Sequence, residues 1–458
     1  MIDPRMTENQ NTKPSLAVKL GAVLLLVLAG CAPFCHQPAS KSNGAGAAVT
    51  GHYRNLFVEA GHSQFRVYEK INAAFQQFFY GDASTQALYY PAGFNTNGAL
   101  AYILDTGYKQ VRSEGMSYGM MIAVQLDKKA EFDALWNWAM TYMYHDSPTN
   151  PAYGFFSWSM TTNGTPNDEL SAPDGEEYIV TALYFASGRW GNGAGIYNYR
   201  AAADRLLTNM RHREFMTGWT VTGIRIAGAL FDPEHHMVRL TPNKDYCNRT
   251  DPSYQLPAFY ELWAKWGPEA DRDFWKQAAA ASRDFFQRDA NPRTGLTPEY
   301  ANFDGTSWAS PRNTNSVSFQ FDAWRTAMNW SVDWAWWAKD PREQQLSDRL
   351  QAFFETKGMT NYGNEFTLAG NQFDKDHSPG LVTINAVASL AATQPLAHKF
   401  VEELWDTPIP SGQWRYYDGL LYFMGLFHCS GEFRIWAPHS AVDGAKGRNS
   451  ENWPVLSG

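Results

Sequence analysis

Carboxylates stand at regular places in this chain of 458 residues. Glu114 opens an apolar run in "RSEGMSYG", and Asp174, with Glu176 and Glu177, opens another in "SAPDGEEY". Asp251 and Tyr254 open a third in "TDPSYQLPAFY", and Asp322 and Arg325 open a fourth in "FDAWR". Each is ordinary alone: a first-turn acid favours the positive end of a helix dipole, and an Asp–Arg pair three residues apart is a common ion pair. Several at successive helix mouths suggest acid–base chemistry. A protonated carboxyl that gives its proton to a leaving oxygen, and an ionised one that attacks or activates water, are what cleaves a glycosidic bond. A helix N-terminus lowers a carboxyl pKa, so Glu114 suits the acid only if burial and a neighbour such as Asp174 raise it. Arg325 beside Asp322 does the opposite and keeps a base charged.

Helices must position these groups. Helical periodicity predicts twelve, near 64–80, 114–126, 129–143, 176–188, 198–210, 253–266, 270–287, 320–338, 342–356, 381–392, 394–405 and 415–427. Some are apolar nearly all round, such as "AWRTAMNWSVDWAWW" at 323–337, and must be buried on every side; others, such as 342–356, carry charge on one face. An inner ring of apolar helices wrapped by an outer ring of amphipathic ones fits, which makes the expected fold all-α, an (α/α)6 barrel. An α-solenoid competes, but no short exact repeat is present. Strand-like alternation is sparse, with a hairpin possible within 219–240. In a ring of parallel inner helices the acidic starts converge at one end and form a carboxylate-lined cleft.

Composition agrees. Aromatic residues make up 15% of the chain and charged residues 18%, favouring a large core with surplus flat surface on which apolar sugar faces can stack. The net charge of −8 argues against nucleic acid as a partner. No phosphate-cradling loop, cysteine metal motif or helical histidine pair stands out, so no cofactor and no metal is expected.

The N-terminus reads as a leader. Lys13 and Lys19 precede the apolar run Leu20–Leu28, which ends in "LAGC" at Cys31. This order is that of a secretory signal, and the ending resembles a bacterial lipobox with a lipidated cysteine. The expected organisation is a lipoprotein-type signal at 1–31, a flexible tether at 32–50, a catalytic domain at 51–440 and a tail at 441–458. Membrane attachment through Cys31 implies a periplasmic or cell-surface protein, taken to be a monomer. Cys247 and Cys429 could pair in an oxidising compartment.

These stretches carry a resemblance over roughly 52–436. "NLFVEAG" at 55–61, "QFFYGD" at 77–82, "VRSEGMSYGMM" at 111–121, "APDGEEY" at 172–178, "RWGNG" at 189–193, "TDPSY" at 250–254, "ANFDG" at 301–305 and "FDAWR" at 321–325 together resemble glycoside hydrolase family 8, most closely its reducing-end xylose-releasing exo-oligoxylanases. The resemblance implies an (α/α)6 barrel and an inverting mechanism without metal. It makes Glu114 the general acid, Asp322 the general base oriented by Arg325, Asp174 a ligand of the distorted sugar, and Tyr254 a holder of the attacking water. It makes His377 in "KDHSPG" the residue that closes the leaving-group side. Inversion needs acid and base about 6.5–9.5 Å apart, which separate helices can supply. The expected activity is hydrolysis of β-1,4-xylosidic bonds, with xylose released from the reducing end of xylo-oligosaccharides. Its rivals are an endo-xylanase, endoglucanase or chitosanase of the same family, and a surface lipoprotein that binds glycans without cleaving them.

Overall fold

Runs that are apolar all round alternate along the chain with runs that have one apolar face, and the structure turns that alternation into two layers of helices. The computed structural model describes residues 44–439. The leader with Cys31 and Cys35, most of the expected tether and the tail lie outside the described residues. Residues 44–50, assigned to the tether, already belong to the folded part: Ala47–Thr50 form one helical turn and Ala47 is buried.

The longer helices are α1 (Gln64–Tyr80), α2 (Ser113–Gln125), α3 (Lys129–Trp138), α4 (Pro173–Trp190), α5 (Tyr199–His212), α6 (Pro257–Trp266), α7 (Arg272–Asp289), α8 (Trp324–Trp337), α9 (Arg342–Lys357), α10 (Pro379–Val387), α11 (Ala397–Asp406) and α12 (Arg415–Ser430). Each matches one expected helix, so the chain is all-α in its main architecture. Every α2 residue except Glu114 is buried, whereas α11 buries only Phe400, Val401 and Leu404. The even-numbered helices pack in succession: α2 on α4, α6 on α8, α8 on α10, α10 on α12, and α12 back on α2. Between α4 and α6, Trp263 Nε1 donates to Thr181 Oγ1 at 3.1 Å, and the Tyr178 and Phe259 rings lie 5.0 Å apart. Each odd-numbered helix packs behind an even one, α1 behind α12 and α3 behind α2.

Two glycines set how closely the inner layer approaches. A Cβ on Gly175 would stand 2.6 Å from Ser113 Oγ, so α4 can meet α2 this closely only with glycine after Asp174. A Cβ on Gly115 would fall 2.6 Å from the Tyr416 ring, so glycine after Glu114 admits the first turn of α12. The two glycines thus bring the acids that precede them toward a common centre.

Two helix starts differ from expectation. The run begun at 253 opens as a 3₁₀ turn, Pro252–Tyr254, and α6 starts only at Pro257. A proline at a first helical position cannot extend a preceding helix, because it lacks the N–H. The run begun at 320 likewise opens as the 3₁₀ turn Phe321–Ala323, so Asp322 precedes α8 and does not sit inside it.

Strands are more numerous than expected. The antiparallel sheet β1 (Tyr89–Asn95), β2 (Gly98–Asp105), β3 (Gln110–Arg112), β4 (Ser159–Met160) and β5 (Pro166–Asp168) runs in that order. Proline, glycine and the "NTNG" turn break its alternation, and several strands are only two or three residues long. The expected hairpin falls at Met216–Thr220 with Gly223–Ala227, followed by a second, shorter pair at 231–232 and 237–238. Cys247 and Cys429 are free thiols, the second buried in α12.

Candidate active site

Four chain segments bring their polar starts to one place. β3 ends at Arg112 and runs directly into α2, which puts Glu114 in the first helical turn. Asp174 follows Pro173 at the start of α4. Asp322 lies in the 3₁₀ turn before α8, and Arg325 in that helix's first turn.

Arg325 is the centre of the cluster. It is buried, and its Nη1 donates to Glu114 Oε2 at 3.0 Å, to Asp174 Oδ2 at 2.8 Å and toward the Tyr118 hydroxyl at 3.3 Å. Its Nη2 stands 3.1 Å from Asp322 Oδ1, an ion contact without hydrogen-bond alignment. One guanidinium therefore contacts three carboxylates. With all three ionised the buried group would carry two net negative charges, which a low-dielectric interior opposes, so a proton stays on it. Burial, reinforced by Asp174 and Asp322, pushes Glu114 up to about 7 against the pull of Arg325 and Arg112. Burial also raises Asp174, again against Arg325. Asp322 is the most open of the three, with 28% of its side chain exposed against 15% for Glu114 and 7% for Asp174. Glu114 is thus a carboxyl able to hold a proton near neutrality, and Asp322 a solvent-facing carboxylate beside a fixed cation.

Tyr254, in the 3₁₀ turn before α6, lines the same cleft, and the Arg325 guanidinium lies 5.9 Å from its ring centroid. Asp251 fixes that turn by accepting from the Ser253 backbone N–H at 2.8 Å. The cleft measures about 1120 Å³ and is walled by Trp158, Tyr246, Trp308, Phe321 and Trp414 among others. Trp414 and Phe321 expose 62% and 46% of their surface, ample for stacking on a sugar face.

The structure brings Glu114, Asp174, Tyr254, Asp322 and Arg325 into one cluster, and His377 lines the same cleft. His377 is held from behind. Its Nδ1 lies 2.9 Å from the Tyr362 carbonyl oxygen and its Nε2 3.2 Å from Glu403 Oε1. Burial works against charge on the ring, yet the Glu403 carboxylate and the Tyr362 carbonyl outweigh it, and His377 titrates above the usual histidine range. With both nitrogens facing acceptors inside the protein, the ring meets the cleft as a wall.

Residues beyond those expected also reach the site. The Tyr416 hydroxyl donates to Glu114 Oε1 at 3.0 Å, and the Tyr417 hydroxyl donates to the Phe321 carbonyl at 2.9 Å while standing 3.4 Å from Asp322 Oδ1. Glu299 lines the cleft, accepts from Asn313 and Gln320, and is raised to about 7 by burial and by Asp322. Tyr416 and Tyr417 had a signal: "WRYYDG" is a polar, aromatic start to an apolar helix, the same pattern that marked the four acidic starts. Glu299 lies in a loop with no such pattern.

Residues 89–431 match the model of glycosyl hydrolases family 8. The chain is 42% identical, over 86% of its length and 99% of the relative's, to the reducing-end xylose-releasing exo-oligoxylanase Rex8A of Paenibacillus barcinonensis. A similarly named enzyme of Halalkalibacterium halodurans is 39% identical over 87% of this chain and 98% of its own. A GH8 xylanase of Teredinibacter turnerae, solved as a catalytic mutant with xylohexaose, superposes with a TM-score of 0.85 at 55% identity, covering 86% of this chain and all of that one. The chain belongs to glycosyl hydrolases family 8 and is a glycoside hydrolase.

Proposed function

We propose that the enzyme cleaves β-1,4-xylosidic bonds with inversion and releases xylose from the reducing end of xylo-oligosaccharides. One observation carries the chemistry: a single buried guanidinium contacts two carboxylates from different segments, one held near neutral pKa and one open to solvent. Asp322 takes a proton from a water held with Tyr254. That water attacks the anomeric carbon as Glu114 gives its proton to the leaving oxygen. Asp174, oriented by Arg325 and by the Gly175 N–H at 2.9 Å, binds the distorted ring. The substrate class and the direction of attack are supported by the relatives named as reducing-end xylose-releasing enzymes. His377 is the wall beyond the leaving sugar. The two helical layers, packed in succession and closed by α12 on α2, support an (α/α)6 barrel.

The second reading is an endo-xylanase. It draws on the xylohexaose-bound relative, which shares 55% of its sequence with this chain. A time course on xylotetraose labelled at its reducing end decides between them. Labelled xylose with unlabelled xylotriose as the only early products is expected. Early xylobiose makes the enzyme endo-acting, and no cleavage of any xylo-oligosaccharide sinks both readings. The leader supports a lipid-anchored enzyme at the periplasmic face or cell surface, attached through Cys31, and we propose that it acts as a monomer. Cys31→Ser should then abolish incorporation of labelled palmitate in cells.

A further inference from the structure

We infer that Tyr416 and Tyr417, consecutive residues in the first turn of α12, are the positioning residues of the two working carboxylates, Tyr416 for Glu114 and Tyr417 for Asp322. The inference rests on the acid and base roles proposed above and adds to them the device that aims each group.

The geometry starts from the turn itself. Successive residues on a helix point about 100° apart, so neighbours in sequence reach different partners. Tyr416 reaches α2 and donates to Glu114 Oε1 at 3.0 Å. Gly115 makes this possible, because a Cβ there would lie 2.6 Å from the Tyr416 ring and push it away. Tyr417 reaches the turn before α8. Its hydroxyl donates to the Phe321 carbonyl at 2.9 Å and stands 3.4 Å from Asp322 Oδ1.

Phe321 explains why the second contact matters. Its φ is +32°, a conformation that a side chain with a Cβ adopts only where its surroundings hold it. The peptide so held is the one that leads into Asp322. The Trp324 N–H also donates to this carbonyl, so without the Tyr417 hydroxyl the peptide keeps one of its two hydrogen bonds and loses the one from α12, and the carboxylate shifts with it.

The turn that carries both tyrosines is itself pinned. Arg415 donates to the carbonyl oxygens of Ala83, Ser84 and Ala87, and Asp418 accepts from the Gly380 N–H at 3.0 Å. One helical turn is thereby fixed on both sides and holds a proton donor and a proton acceptor that come from other segments.

The two contacts predict different kinetic signatures. A hydroxyl donating to Glu114 favours its ionised form. The other groups around that carboxyl are Arg325 from α8, Arg112 from β3, Asp174 from α4, Asp322 from the turn before α8, Tyr118 from α2 and Tyr417 from α12. Tyr416→Phe leaves all of these in place and removes one donor. Glu114 then keeps its proton to higher pH, and the alkaline limb of kcat moves up by about one pH unit. Tyr417→Phe acts on geometry: kcat falls about tenfold or more across the whole pH range while KM stays within about twofold.

The test is kcat and KM on xylotetraose from pH 4 to 10 for wild type, both Phe variants and Glu114→Gln, with thermal melts of each. A merely structural role would lower the melting temperature and leave the alkaline limb where it is. If Glu114→Gln keeps its turnover, the acid assignment itself is wrong. If Glu114→Gln is dead but Tyr416→Phe shows the wild-type limb, or Tyr417→Phe the wild-type kcat, only the inference fails. Should Tyr416→Phe not fold, 3-fluorotyrosine at 416 supplies the opposite change. Its stronger donor should move the limb down, and an unmoved limb overturns the proposal.

Discussion

Arg325 donates from one nitrogen to two acids and touches a third carboxylate with the other. Lysine cannot reproduce that fork, because its ammonium is a point charge without two separated donors. Arg325→Lys should therefore lower kcat by about 100-fold or more on xylo-oligosaccharides, the expectation for removing a charge that orients both an acid and a base. Near-wild-type turnover would show that the carboxylates do not depend on it. The pH dependence follows from Glu114. A general acid works only while protonated, so activity should fall as pH rises through about 7, the value to which burial lifts this group. A pH–rate profile that stays flat to pH 9 contradicts the assignment. At this scale the acids and Arg325 were legible, because charge at the mouth of an apolar run is conspicuous. Tyr416 and Tyr417 were legible only as part of a polar start to an apolar helix, not as partners of the acids. Nothing in a chain with 23 tyrosines tells which hydroxyl turns toward a carboxylate and which packs in the core.

The elements were nearly all readable as helices, because burial on all sides or on one side leaves a 3.6-residue signature whatever the neighbours are. Their starts were less so. Asp322 and Tyr254 stand in 3₁₀ turns before their helices, a distinction that depends on local hydrogen bonding and not on apolar period. The small sheet was missed for a related reason: β3, β4 and β5 have only two or three residues, and proline, glycine and the turn between them break the alternation of the longer β1 and β2. Close helix approach is testable here. Gly175→Ala puts a methyl against Ser113, backed by the α2 backbone at 3.1 Å. Overpacking of this kind is expected to cost about 1–3 kcal/mol, read as a lowered melting temperature, and to displace Asp174 with a loss of activity. Stability and activity both equal to wild type would mean that α4 and α2 have slack between them.

At the scale of the whole molecule, the core holds ionisable groups that take no part in the cluster around Arg325. Glu176 is fully buried behind Asp174, and burial raises it from an ordinary 4.5 to about 8, partly offset by the Phe156 N–H it accepts at 2.9 Å. Between those two values the folded chain binds a proton that the unfolded chain has lost. The contribution of Glu176 to stability is therefore fullest below about 4.5 and declines as pH rises toward 8. Melts followed by calorimetry should show this fall, and Glu176→Gln should reduce its slope; a wild-type melting temperature that rises from pH 5 to 8 would contradict it. The two-layer ring was expected from alternating helix types, but which helices meet at its seam was not, since no periodicity tells that α12 packs on α2.

That closure has a consequence for how the enzyme comes to exist. Glu114 is made early, its guanidinium partner comes 211 residues later, and the tyrosine that holds it comes 302 residues later. No part of the nascent chain can hydrolyse anything until α12 has been synthesised and docked, and until then the apolar faces of α2, α10 and α1 await their partner. Such long-range pairing makes for slow assembly. Ribosome-released chains ending before Trp414 should be inactive and bound to chaperones, so activity itself reports that synthesis has passed α12.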